Sequence, residues 1–129
     1  MKITASIEQQ SPVPAFAATL LNAVTVLHMM HLQTKSFAQH SALSFYNDFG
    51  DMADKFVEQY QGIYGLITSY PQQTVVNIKD PVSFVTELHT SVEMMRRLPG
   101  FPQDTCLQNV VDEISGMLAQ ALYKLRFLA

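Results

Sequence analysis

No charged side chain interrupts the sequence between Pro14 and His31, PAFAATLLNAVTVLHMMH. Ala17, Leu20, Leu21, Val24, Leu27, His28 and His31 recur at helical spacing and predict a helix from near Pro14. Proline suits a first helical turn, where its missing N–H has no partner to lose. Phe16, Ala23, Val26 and Met30 fall on the other faces, so this helix is apolar on most sides. Such a helix needs burial on more than one side, which points to a subunit interface. Thr19, Asn22, Thr25 and His28 break the run short of the roughly eighteen consecutive apolar residues of a membrane span, so no membrane partner is expected.

Three further helices are predicted. Ser36 and Gln39 have capping-box spacing and open a second helix that runs to Gly62 or Gly65, with Gly50 a candidate kink. One of its faces carries Leu43, Tyr46, Ala53, Phe56, Val57 and Tyr60; another carries His40, Ser44, Asn47, Asp51, Asp54 and Glu58. Pro71 and the β-branched run TVV make residues 68–80 extended or irregular. Asp80 and Pro81 open a third helix that reaches about Leu98. The turn PGFPQD leads into a fourth, capped by Asp104 or by Thr105 with Gln108. Its apolar stripe is Leu107, Val110, Val111, Ile114, Met117, Leu118, Ala121, Leu122, Leu125 and Leu128. Two short links imply two antiparallel hairpins. The middle link spans roughly 40 Å at about 3.3 Å per residue, enough to cross a helix of about 27 Å at 1.5 Å per residue. The fold class expected is therefore all-α, a ferritin-like four-helix bundle with a long crossover between its second and third helices; a simple up-down-up-down bundle would not need that link, though it does not forbid it.

The 129 residues fit one domain, with residues 1–13 as an extended arm. A net charge of -3, and a single lysine in the arm, give no electrostatic basis for DNA binding. Cys106 is the only cysteine, so no intrachain disulfide exists. The first residues lack the pattern of a secretory signal.

The sharpest polar constellation is His31, His40, Asp54 and Glu58. Asp54 and Glu58 stack one turn apart on the second helix, an arrangement suited to a hard or borderline cation. An imidazole from His31 would complete a nitrogen–oxygen set for iron, zinc or manganese. His28 is an equal candidate for that place. The opposing reading makes Asp51, Asp54, Lys55 and Glu58 a solvated face. No Glu-x-x-His occurs, since Glu87 and His89 are two apart, so a di-iron centre within one bundle is not expected.

The run HLQTKSFAQHSALSFYNDFGDMADKFVEQYQG resembles the first helix hairpin of the Dps branch of the ferritin-like superfamily. The resemblance implies an iron site between two subunits, with His31 and His40 from one chain and Asp54 and Glu58 from another, and ferroxidase activity in a homo-oligomer. The chain departs from the Dps pattern in a shorter link between the histidines, in Leu32 where tryptophan is usual, in Ser44 where an aspartate is usual, and in lacking a basic tail. More of the chain, residues 20–128, is similar to a family of small uncharacterised proteins of tailed bacteriophages. The likeness lies in H-x-Q-T-K-S-x-A-x-H, D-T-x-L-Q-N-x-x-D-E-I and Y-K-L-R-F-L. It implies residence in the host cytoplasm or the virion. Two functions follow as expectations: an iron-binding homo-oligomer, or a phage structural or interaction module with the same fold and no metal chemistry.

Overall fold

The computed structural model describes residues 11–74 and 80–129. Most of the expected N-terminal arm, and part of the irregular stretch 68–80, lie outside them. Among the described residues five helices form: α1 Val13–Leu32, α2 Phe37–Ala42, α3 Tyr46–Tyr64, α4 Pro81–Met95 and α5 Thr105–Phe127. There is no strand among the described residues, so the chain is all-α as expected.

The expected second helix is two helices. Ser36 caps α2, its hydroxyl accepting from the Gln39 N–H at 3.1 Å, as the capping-box spacing predicts. The break falls at residues 43–45 and not at Gly50. There the Ser44 hydroxyl and N–H both donate to the Ser41 carbonyl, at 2.6 and 3.2 Å, and close a tighter turn in place of the helical ladder. Gly50 instead faces Val24 across the α1–α3 contact, where a β-carbon would lie 3.5 Å from the Val24 side chain.

Caps elsewhere follow in part. Asp80 caps α4 by accepting from the Val82 N–H at 3.1 Å, and the Ser83 hydroxyl on its other oxygen lowers its pKa. The expected box between Thr105 and Gln108 does not form. Gln108 turns back to donate to the Pro102 carbonyl at 3.0 Å and accepts from Arg96 at 2.9 Å. Asp104 accepts the Tyr64 hydroxyl at 2.5 Å, and this bond raises the Tyr64 pKa above the ordinary 10.0.

Contacts fix the helix directions. Phe16 meets Phe56 and Phe101 edge-on, and Tyr64 reaches Asp104, so the start of α1, the end of α3 and the α4–α5 turn share one end. Arg126 reaches Thr86 near the other end. The helices α1, α3, α4 and α5 thus run up, down, down, up, and the link between α3 and α4 joins opposite ends of the bundle. Gly65, with φ +100°, ends α3 in a conformation that suits glycine.

Both sets of apolar residues on α1 enter the core: Ala17, Leu20 and Leu27 are buried with Phe16, Ala23, Val26 and Met30, whereas Leu21 and His28 are exposed. Apolar residues on most sides of α1 leave its rotation undetermined by periodicity. The α5 stripe is buried as expected except Leu128, which is exposed, and Met117, which is half-buried. Helix α1 is long and apolar enough by length and composition to cross a membrane, with half of its most apolar window buried inside the bundle.

Arg96 joins α4 to α5. Its guanidinium donates to Glu93 at 3.1 Å, to the Gln108 side chain and carbonyl at 2.9 and 3.2 Å, and to Asp112 at 2.6 Å. Burial pushes the Glu93 carboxyl up, but the Ser115 hydroxyl, Arg96 and Arg97 outweigh it and hold the group below 4.5. A lowered folded-state pKa stabilises the fold above the unfolded value and ceases to do so as pH falls through the folded one. Glu93→Gln should therefore cost stability near neutral pH, and the gap from wild type should narrow below pH 4.5. Urea midpoints on both proteins across that range test this; a gap constant with pH would refute it.

Candidate metal-ligating surface

The end of α1, the turn after it and α2 bring two of the four candidate ligands together. The rings of His31 and His40 stack with centroids 3.7 Å apart and 28° between planes. Their bonds are reciprocal: the His31 Nδ1–H donates to the His40 carbonyl at 2.9 Å, and the His40 Nδ1–H donates to the His31 carbonyl at 3.0 Å. A carbonyl oxygen can only accept, so each ring carries its proton on Nδ1. Thr34 holds the turn by donating to the His31 carbonyl at 2.9 Å, and its hydroxyl lies 3.3 Å from His40 Nδ1. Neither Nε2 has a hydrogen-bond partner among the described residues. An imidazole tied through Nδ1 to a carbonyl, with Nε2 available, is the arrangement metal-binding histidines adopt.

Two more rings extend this surface. His28 stacks on Tyr46 at 4.1 Å with 9° between planes, and Tyr46 lies 5.1 Å from His31. Spacing predicts Tyr46 only as a core-facing residue of the second helix. Its place beside the histidines depends on the break at residues 43–45, which periodicity does not indicate. Thr34 escapes sequence reasoning in the same way, since its role belongs to a turn. His28 is exposed and makes its contact through its ring face.

Asp54 and Glu58 stand on the exposed side of α3, one turn apart, with no ion pair among the described residues. Lys55, between them in sequence, pairs with neither. The whole polar stripe His40, Ser44, Asn47, Asp51, Asp54, Glu58 is exposed, as its spacing predicts. Among the described residues no three His, Cys, Asp or Glu side chains of one chain converge on a common point. One chain thus presents an imidazole pair where α1 ends and a carboxylate pair on the exposed side of α3, and does not bring the two pairs together.

A second polar cluster cross-links α4 and α5, with Ser115 Oγ 3.1 Å from His89 Nε2.

Residues 31–125 match a family of unknown function (DUF5856). The span begins at His31 and contains His40, Asp54 and Glu58. The chain is also similar to an "Uncharacterized 14.6 kDa protein in mobD-ri intergenic region" of Enterobacteria phage T4, 30% identical over 114 residues that cover 85% of this chain and 84% of that protein. The likeness to phage proteins read from the sequence is borne out by that relative; the likeness to Dps has no counterpart in either match. No solved structure matches the chain.

Proposed function

The chain belongs to a family of unknown function (DUF5856), and we propose that it is a ferritin-like homo-oligomer that binds iron, or a similar divalent metal, between two copies of itself. His31 and His40 of one copy provide imidazole nitrogens, and Asp54 and Glu58 of another provide carboxylate oxygens. The up-down-down-up helix order and the end-to-end crossover support the ferritin-like assignment.

The observation that carries the reading is the reciprocal Nδ1 bonding of the stacked histidines. It fixes both tautomers, orients both rings and keeps both Nε2 lone pairs off the backbone. Packing alone does not need both. The donor set fits: imidazole suits iron, zinc and nickel, and carboxylate adds affinity for harder ions and neutralises charge. A set assembled from two copies accounts for the absence of a three-ligand cluster among the described residues of one chain. Where the bound ion is Fe(II), it is the substrate, and O2 is the oxidant. The chain's own residues hold and orient the ion and supply the negative charge that favours the ferric product.

Anaerobic Fe(II) titration by calorimetry, on wild type and Asp54→Ala, tests the proposal. Wild type should bind in stoichiometric amounts and the variant should bind at least about tenfold more weakly, in the range seen when a ligand or its support is lost. Admitting O2 then distinguishes storage from oxidation, read as growth of ferric absorbance. Equal binding by both proteins, or none by either, would sink this reading. None by either would also favour a structural or interaction role on the same fold.

A further inference from the structure

The turn between α2 and α3 leaves a cavity of about 230 Å³ against α5. Helix α2 stops at Ala42 and α3 starts at Tyr46, and the Ser44 hydroxyl is spent inside the turn, on the Ser41 carbonyl. Phe45 and Met117, both half-buried, give the cavity an apolar side. Four polar side chains also line it: Ser41 of α2, Asp48 of α3, and Gln120 and Lys124 of α5. None of these four side chains makes a hydrogen bond or an ion pair among the described residues. A carboxylate and an ammonium thus share one cavity without pairing with each other.

Each charge also has a purely structural use. Asp48 stands in the first turn of α3 and Lys124 in the last turn of α5, where each complements the dipole of its helix. That use is served on any side of a helix end. It does not explain why the two charges line the same space, with an uncommitted hydroxyl and an uncommitted amide beside them.

We infer that this cavity binds a small zwitterion, a free α-amino acid with an apolar side chain. Its ammonium meets Asp48, its carboxylate meets Lys124, and its side chain lies on Phe45 and Met117. Ser41 and Gln120 carry both donors and acceptors and serve the remaining hydrogen-bonding positions of the two charged groups. The wall charges decide the class. An ion of one sign would be drawn to one of them and repelled by the other, and a neutral solute would match neither. The volume decides the size, since drug-sized ligands fill cavities of roughly 300–1,000 Å³ and this one is smaller. Asp48 and Lys124 are exposed, so their contacts stay screened by water and the affinity is weak, of millimolar order. The site uses none of His31, His40, Asp54 or Glu58 and is independent of the metal reading.

Titration of isotope-labelled protein with L-leucine, read by amide chemical shifts, tests the site. Signals of residues 41–48 and 117–124 should move and saturate. Isopentylamine lacks the carboxylate and isocaproate lacks the ammonium, and each should bind about three- to fivefold more weakly, the order of an ion pair open to water. Asp48→Asn and Lys124→Met should each weaken L-leucine by a similar factor. Asp48→Asn should also cease to distinguish L-leucine from isocaproate, and Lys124→Met should cease to distinguish it from isopentylamine, because each variant lacks the partner of the group that differs. A dipole role alone predicts lower urea midpoints for both variants and no such change in preference. The absence of saturable shifts at these positions would overturn the proposal. So would variants that bind all three probes as wild type does, or that weaken all three alike.

Discussion

Phe16→Ala is expected to lower the unfolding free energy by about 3–5 kcal/mol, the range for truncating a fully buried aromatic side chain. Phe16 is 0% exposed. Its ring meets Phe56 at 4.9 Å and Phe101 at 5.0 Å, both edge-on, so it joins α1, α3 and the α4–α5 turn in one cluster. Removing it leaves a void bounded by three elements, which cannot all close on it together. Domains are typically stable by only about 5–15 kcal/mol, so the variant keeps a small margin or none. Phe16→Leu keeps most of the volume and loses only the ring contacts, and should cost well under half as much. Urea unfolding of the three proteins checks this. A loss below about 1 kcal/mol for the alanine variant would mean that α1 does not pack as described.

The largest buried side chain on α1 lies off the face that periodicity selects. The segment VPAFAATLLNAVTVLHMMHL has apolar residues on most sides, so several rotations fit its spacing equally well. Packing against α3 chooses one, and the aromatic partners that fix it, Phe56 and Phe101, lie far along the chain. Helix α5 carries no such ambiguity. Its exposed positions include the charged residues Asp112, Glu113 and Lys124, which leave only one apolar stripe to bury.

The candidate site is legible in the sequence as a set of residue types and not as an arrangement. Spacing puts Asp54 and Glu58 one turn apart on an exposed face, and they are so placed. The pairing of His31 with His40 depends on a turn, on Thr34 and on a break between Ala42 and Tyr46. Serine hydroxyls compete locally for backbone carbonyls, and Ser44 bonded to the Ser41 carbonyl outweighs the tendency of the segment to continue as one helix. Gly50 reads as a candidate kink because glycine is a poor helix former. The surrounding helix tolerates it, and its small size sits against Val24.

Arg96→Ala should cost about 2–3 kcal/mol, because it leaves several partly buried acceptors without their donor. The side chain is only 12% exposed; burial pulls its pKa down, but Asp112 and Glu93 outweigh this and hold it above its ordinary value, so it stays charged. The short bond to Asp112 is not the main contribution, since that carboxylate is 63% exposed and regains water when released. Asp112→Ala should therefore cost less than about 1 kcal/mol, as exposed pairs do. Glu93 and Gln108 are more enclosed and would lose more. Arg96→Lys keeps the charge without the planar fork and should fall between the two. All these contacts lie in the α4–α5 hairpin, near the end where α5 begins, whereas His31 and His40 sit where α1 ends. Arg96→Ala should accordingly unfold at lower urea and still titrate metal like wild type at temperatures where it is folded. A coincident loss of metal binding would show that the two hairpins are coupled, and that the ligand surface depends on the whole bundle and not on α1, α2 and α3 alone.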